Sequence, residues 1–392
     1  MRGVGASLSH GRPPVPGAAA LSEARRSGER PDVLDPRDER PGSRRSLRAW
    51  LALQRRGALR PVEARAALEA KGEPGAALDR LCGDLPEVVL PERDFERHLA
   101  RLGRLGVHLL PYGSPAYPRR VAVLADASPL LAVRGDPAAL GGVFAAIVGA
   151  RRATTYGLGV ARRLARDLAE EGIGVVSGLA RGIDAAAHRG SLDAGGCTVA
   201  VLGCGPDRVY PPGHEGLAEE IVERRGALLS ELPPGSPPLA LHFPLRNRLI
   251  SALAEAVVVV EARARSGSLI TVEHAAEQGR EVLAVPGPVD SPESEGPNRL
   301  LRDGAAPALD ASDVLRAIGR EPLRARAEGP SEPLEPEARA LWLALRAQPA
   351  TRDELAARLG LAPQELARRL LPLELEGRIR EDRDGRLRVV SG

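Results

Sequence analysis

Three short segments of this 392-residue chain have a composition suited to holding anions. The first runs Val148-Gly149-Ala150-Arg151-Arg152-Ala153-Thr154-Thr155-Tyr156-Gly157. The second is Val176-Ser177-Gly178-Leu179-Ala180-Arg181-Gly182-Ile183-Asp184, and the third Glu261-Ala262-Arg263-Ala264-Arg265-Ser266-Gly267-Ser268-Leu269-Ile270-Thr271. Each joins an apolar run to a helical pattern and carries small residues that let a ligand approach the backbone. A helix beginning offers free N–H groups and a positive dipole end. Arginine adds a planar fork of donors that matches two phosphate oxygens. If the three apolar runs are parallel strands, these junctions share one sheet edge and form an anion shelf. None is a G-x-G-x-x-G loop, because Arg151 stands where the second glycine would be.

A fourth segment, His242-Phe243-Pro244-Leu245-Arg246-Asn247-Arg248-Leu249-Ile250-Ser251, sets an aromatic ring beside two arginines and an amide. Phe243 would stack on a base, a contact worth roughly 1–3 kcal/mol, with Arg246, Asn247 and Arg248 on phosphates or base edges. Composition equally allows Phe243 to lie under a helix with both arginines in intrachain ion pairs. Asp184 and His188 lie four apart on one helix face, which reads as a structural hydrogen bond rather than acid–base chemistry, since no nucleophile or metal set accompanies them. The seven histidines are scattered, no HExxH, GxSxG or P-loop occurs, and Tyr156 and Tyr210 read as packing residues. The expectation is a binding protein with no catalytic residue, no metal and no cofactor.

The elements that would position these segments are a strand–helix alternation. Apolar runs at Phe144–Val148, Gly174–Val176, Thr198–Leu202, Ala227–Leu229, Val257–Val260 and Val282–Val285 predict strands covered on both faces. Helical patterns at Gly157–Glu171, Ile183–Ala194 and Thr271–Gln278 lie between them. This predicts an α/β, Rossmann-like doubly wound sheet, whose ligands sit at the carboxyl ends of strands. Residues 46–108 predict short helices, and 109–142 a Pro- and Tyr-rich lead-in ending in a strand at Leu130–Val133. The α/β domain is expected over 109–312, a Pro/Glu/Arg linker over 313–334, and a small terminal domain over 335–392. In that last domain Pro336–Gln348 is a helix, Thr351-Arg352-Asp353-Glu354 opens a second through a capping box, and Gly360 ends it. A third helix over Ala362–Leu375 and a hairpin over Arg378–Val390, turning at Asp384-Gly385, complete a winged helix.

Charge is a matter of placement. The chain carries 55 Lys+Arg against 52 Asp+Glu. Residues 1–45 hold nine Arg and six acids and read as a disordered tail, so the remainder is neutral and must bind any nucleic acid through a local patch. Residues 331–392 hold eleven Arg and eleven acids, and their third helix offers only Arg368 and Arg369, a weak basis for reading a duplex operator. Three cysteines without a CxxC pair fit a reducing cytoplasm. No apolar stretch approaches a bilayer span, and Met1–His10 lacks a secretory core segment.

Taken in order, the motifs resemble the DNA-processing protein A family (DprA, also called Smf). Those that carry the resemblance are Gly149-Ala150-Arg151 with Tyr156-Gly157; Ser177 to Asp184 with His188; Ala200 to Gly205 with Tyr210-Pro211; and Ser230-Glu231. Phe243 to Ile250, Glu261 with Ser266 to Thr271, Val285-Pro286-Gly287 and Gly296-Pro297-Asn298 continue it. The resemblance implies an extended Rossmann domain that binds single-stranded DNA, is usually dimeric, protects incoming strands in natural transformation and loads the RecA recombinase in place of single-strand-binding protein. It also implies an N-terminal sterile-alpha-motif-like helical domain and a C-terminal winged helix. By position, Arg151 would hold a phosphate, Gly149, Gly178, Ser266, Gly267 and Ser268 would shape the shelf, and Phe243 would stack on a base with Arg246, Asn247 and Arg248 around it. The stretch Leu239-Ala240-Leu241-His242 lacks the basic residue some members place before the Phe. A second reading is a nucleotide-processing enzyme like the phosphoribohydrolases, although Ser266 to Glu273 lacks their consecutive glycines. A third is a winged-helix transcription regulator.

Overall fold

A computed structural model describes residues 33–38, 40–58, 60–82, 90–321, 336–375, 378–382 and 385–389. The chain divides into two compact units near residue 322.

The first unit is built on a nine-stranded sheet. Its strands are β1 (Val107–Pro111), β2 (Leu130–Gly135), β3 (Phe144–Val148), β4 (Gly174–Ser177), β5 (Thr198–Val201), β6 (Ala227–Ser230), β7 (Ala256–Val259), β8 (Glu281–Ala284) and β9 (Ala306–Pro307), in the order β1-β2-β6-β5-β4-β3-β7-β8-β9. From β6 to β9 all pairings are parallel, whereas β1–β2 and β2–β6 are antiparallel. Alternation along each strand feeds both faces. Ala145, Ile147, Val175 and Val258 pack with helices α6 (Thr155–Glu170), α7 (Ile183–Asp193) and α12 (Ala311–Ala317). Phe144, Ala146, Val148, Val176 and Val257 pack with α9 (His242–Leu253) on the other side. Burial on both faces is why these strands read as unbroken apolar runs.

Some boundaries differ from the sequence expectation. Ordered structure begins before residue 46: helix α1 spans Pro41–Gly57, and Leu34 exchanges backbone hydrogen bonds with Leu109 on the edge strand β1. Residues 1–32 of the expected tail lie outside the described residues. Helices α1, α2 (Pro61–Lys71), α3 (Pro74–Cys82) and α4 (Glu92–Arg104) do not form a core of their own. Trp50, Leu68 and Phe95 belong to the same apolar cluster as Val133 and Val199 of the sheet. The linker cannot begin at 313, because α12 runs to Ala317, is opened by an Asp310–Asp313 capping box, and buries Val314 and Leu315. Its later part lies outside the described residues.

The second unit holds α13 (Pro336–Ala347), α14 (Arg352–Leu359), α15 (Pro363–Leu375) and the antiparallel pair β10 (Ile379–Glu381) and β11 (Leu387–Val389). Thr351 and Glu354 cap each other reciprocally, and Gly360 ends α14 in the left-handed region at φ 65°. Leu341, Leu355, Leu370, Ile379 and Leu387 form its core. This is the three-helix-plus-hairpin winged helix expected from the sequence; Asp384 of its turn lies outside the described residues.

Candidate nucleic-acid interface

The strand order reverses between β3 and β7, the topological switch point where open α/β sheets take ligands. The loops leaving β3 and β7 part there and leave an open cleft of about 930 Å³. Gly149, Arg151, Phe243, Arg246, Asn247, Ser266, Gly267 and Ser268 all line it. Gly178 and Arg248 do not. The loops after β3 and β4 are locked together at Gly182, which adopts φ 78° and where a Cβ would stand 2.2 Å from the Ala150 carbonyl oxygen. Gly149 lets β3 approach α7, since a Cβ there would meet Ile183 at 2.7 Å. Leu179, fully buried, is held at φ 57°, a costly conformation for a bulky side chain that places strain beside the cleft.

Two of the three helix beginnings are already occupied by the chain's own carboxylates. Buried Glu261 accepts from the Thr154 N–H at 2.9 Å and the Thr154 hydroxyl at 2.5 Å, at the start of α6. Asp184 Oδ2 accepts from the N–H groups of Gly178 and Ala180 at 3.1 and 3.3 Å, in the loop that leads into α7. A carboxylate at the positive end of a helix satisfies the groups a phosphate would use. The anion shelf expected from three junctions is therefore reduced to the third, with arginines from the first.

Arg246 and Arg248 are placed differently from the expectation that they grip DNA. Arg246 is 4% exposed, and its Nη1 donates to the carbonyls of Gly178, at 3.0 Å, and Val201. Burial pulls its pKa down to about 10, with Asp184 opposing that shift. It stitches α9 to the ends of β4 and β5 and forms cleft floor. A Cβ on Gly178 would stand 2.7 Å from its Nη2, so that glycine makes room for the guanidinium. Arg248, 8% exposed, binds Asp126 through Nε at 2.5 Å and Glu231 through Nη1 and Nη2 at 3.0 and 2.7 Å. Three of its donors are taken by carboxylates and a fourth by the Asp126 carbonyl, so in this structure it is a structural tie and is not presented to a phosphate.

The open part of the cleft carries the remaining groups. Asn247 Nδ2 donates to the Gly267 carbonyl at 3.2 Å and so positions the β7–α10 loop ahead of α10 (Leu269–Glu277). Ser266 and Ser268 hydroxyls lie 2.8 Å apart. Among the described residues, apart from its chain neighbours, nothing lies within 4 Å of a Cβ built on exposed Gly267, so its bareness serves no internal packing there. Arg151, Arg152, Arg263 and Arg265 line the cleft with their side chains exposed. Among the described residues, Arg151 and Arg265 form no salt bridge. The Arg151 guanidinium lies 5.4 Å from the centre of the half-exposed Phe243 ring, within cation–π range. Tyr210, read from the sequence as packing, lies on the cleft wall 37% exposed, its ring centre 5.3 Å from that of Phe243. Two adjacent aromatic rings with an arginine beside them have the chemistry suited to stacking on nucleobases. Sequence spacing gave no signal for this pair, because 33 residues separate the rings.

Asp184 and His188 share a face but not a hydrogen bond. His188 is fully buried, its Nδ1 2.7 Å from the Thr198 hydroxyl, and burial lowers its pKa to about 3. Among the described residues there is no cluster of three or more metal-ligating side chains, and no helix is long and apolar enough to cross a membrane.

On the second unit, Arg368 and Arg369 both bind Glu365, Arg352 binds Glu374 and Glu381, and Arg386 binds Glu354. Its basic groups are thus largely self-neutralised.

Known proteins agree with this arrangement. The sequence profile of DNA recombination-mediator protein A matches residues 108–319, and that of the DprA winged helix domain matches residues 325–385. The DNA processing protein DprA of Bacillus subtilis is 40% identical over 57% of this chain and 75% of that protein. Protein Smf of Escherichia coli is 42% identical over 58% of this chain, a match spanning 61% of that relative's length. The X-ray structure of DNA processing protein A from Streptococcus pneumoniae superimposes with a TM-score of 0.54 at 33% identity, over 65% of this chain and 85% of that one. With the profile covering more than half of its length and the switch-point cleft in place, the chain belongs to the DNA recombination-mediator protein A family.

Proposed function

We propose that this chain binds single-stranded DNA in the switch-point cleft and acts in the cytoplasm as a recombination mediator rather than an enzyme. The observation that carries the reading is the Arg151–Phe243–Tyr210 group. It sets a cation with no salt bridge among the described residues against two part-exposed rings, beside a serine-rich loop with an unshielded glycine. Phosphates would sit against Arg151 and the Ser266-Gly267-Ser268 loop, and bases on the rings. Such contacts read little sequence, so binding is expected to tolerate any strand. Asp184 and Glu261 are both engaged by backbone N–H groups, which suits a binding surface more than an acid–base pair. The family name, a DNA recombination mediator, supports a role in recombination; within it the proposal includes protection of incoming strands in natural transformation, displacement of single-strand-binding protein and loading of RecA. A homodimer would set two clefts on one strand and raise avidity. The self-neutralised winged helix fits a protein partner better than a duplex operator. The test is mobility-shift titration of Arg151→Ala and Phe243→Ala with single-stranded oligonucleotides, alongside circular dichroism. Weakened binding with intact folding is expected; unchanged binding in both variants refutes the site.

A further inference from the structure

One carboxylate reaches the rim of the cleft from outside the strand–helix junctions. Glu293, in the segment between β8 and α11 (Glu295–Arg302), lines the cleft together with Arg152, Arg263 and Arg265. Its Oε1 accepts from Arg263 Nε at 3.0 Å and Nη2 at 2.6 Å. The segment is fastened in place, because the Ala262 N–H donates to the Glu293 carbonyl at 2.7 Å. The hydrogen bond from Arg263, with a smaller contribution from Arg152, holds the Glu293 carboxyl below its usual range. The Arg263 side chain is 70% exposed and that of Glu293 only 16%. The arginine side of the pair is therefore open to solvent while the acid side is largely covered.

We propose that Arg263 and Arg152 form a second phosphate subsite of the cleft, which Glu293 keeps closed until a polynucleotide phosphate displaces its carboxylate. The inference rests on the single-strand reading above. A phosphodiester presents oxygens to the same guanidinium edge that Glu293 now occupies. Arg263 is mostly exposed, so water screens its attraction to Glu293 and a phosphate can compete for the guanidinium. The carboxylate is also a like charge at the rim, which lowers the affinity the arginines would otherwise give. Glu293 thus sets the affinity below its ceiling, which suits a protein that must later surrender its strand.

The test is fluorescence-anisotropy titration of an oligothymidylate at two salt concentrations with the full chain, using Glu293→Gln, Arg263→Ala and the double variant. Removing the carboxylate charge is expected to tighten binding by about two- to five-fold at low salt, the scale of an exposed ion pair. The salt slope should steepen by up to about 0.7, the value of one single-strand phosphate contact. In the Arg263→Ala background most of that gain should vanish. Unchanged or weaker binding by Glu293→Gln, with wild-type binding intact and still lowered by Arg151→Ala, overturns the subsite and leaves the proposed function standing. Absence of single-strand binding by the wild-type chain overturns that function itself. Thermal unfolding of each variant separates a folding defect from a binding one, and a gain in affinity cannot arise from misfolding.

Discussion

Replacing Arg248 by Met distinguishes a structural tie from a DNA ligand. The guanidinium makes three hydrogen bonds to the carboxylates of Asp126 and Glu231 and a fourth to the Asp126 carbonyl, joining α9 to the loop before β2 and to the end of β6. Removing one partner of a buried pair costs about 3–5 kcal/mol, because the other charge is left uncompensated. Glu231 is 14% exposed, but Asp126 is 35% exposed and water recovers part of its solvation. A discounted loss of about 2–4 kcal/mol is therefore expected. For a unit of this size that lowers the melting temperature by roughly 3–7 °C. Single-strand affinity, measured well below the transition, should change less than two-fold. Circular dichroism melts and anisotropy titrations read the two quantities separately. An unchanged melting temperature with lost binding would show that Arg248 faces DNA and that its two-carboxylate setting is wrong.

Further outcomes follow from the same geometry. Phe243→Ala should cost about 1–3 kcal/mol of binding, and Arg151→Ala should flatten the salt slope by about 0.7, both read by titration. Gly267→Ala meets nothing inside the chain, so its melting temperature should hold while single-strand affinity falls; a fall in both would contradict the open loop. Asp184→Asn takes the anion from beside buried Arg246 and should destabilise the fold by about 3 kcal/mol, measured by denaturant unfolding. Arg162, chiefly by its hydrogen bond, holds the Asp193 carboxyl below its usual range. A depressed carboxyl contributes stability above its unfolded pKa and loses it as the pH falls. The small stability deficit of Arg162→Met at pH 7 should therefore close below about pH 4.

Local chemistry was legible in the sequence, and long-range pairing was not. Strands such as Phe144–Val148 announced themselves because two covered faces demand unbroken apolar runs. The Thr351–Glu354 box was legible because its partners are three residues apart. The edges were harder: β1 carries His108 and Pro111, and β9 is two residues long, so neither shows a run. Leu34 pairs with β1 from a segment with tail-like composition. In the site, most of the residues lining the cleft could be named, but not Tyr210, nor which arginines are held by carboxylates. Arg248 and Arg151 look alike in a sequence, and the difference lies in Asp126, 122 residues away. Likewise, Thr154 offers a helix start, and only the fold brings Glu261, 107 residues on, to fill it.

The most direct test of the account is the wild-type chain titrated against a single strand and its duplex at 50 and 200 mM salt. With Arg151 and Arg265, the cleft arginines that form no salt bridge among the described residues, on phosphates, single-strand affinity should fall about seven-fold over that range, from a slope of about 0.7 per contact. The single strand should be preferred at both salts, because only unpaired bases can reach Phe243 and Tyr210. Equal or stronger binding to duplex, or single-strand binding indifferent to salt, would contradict it.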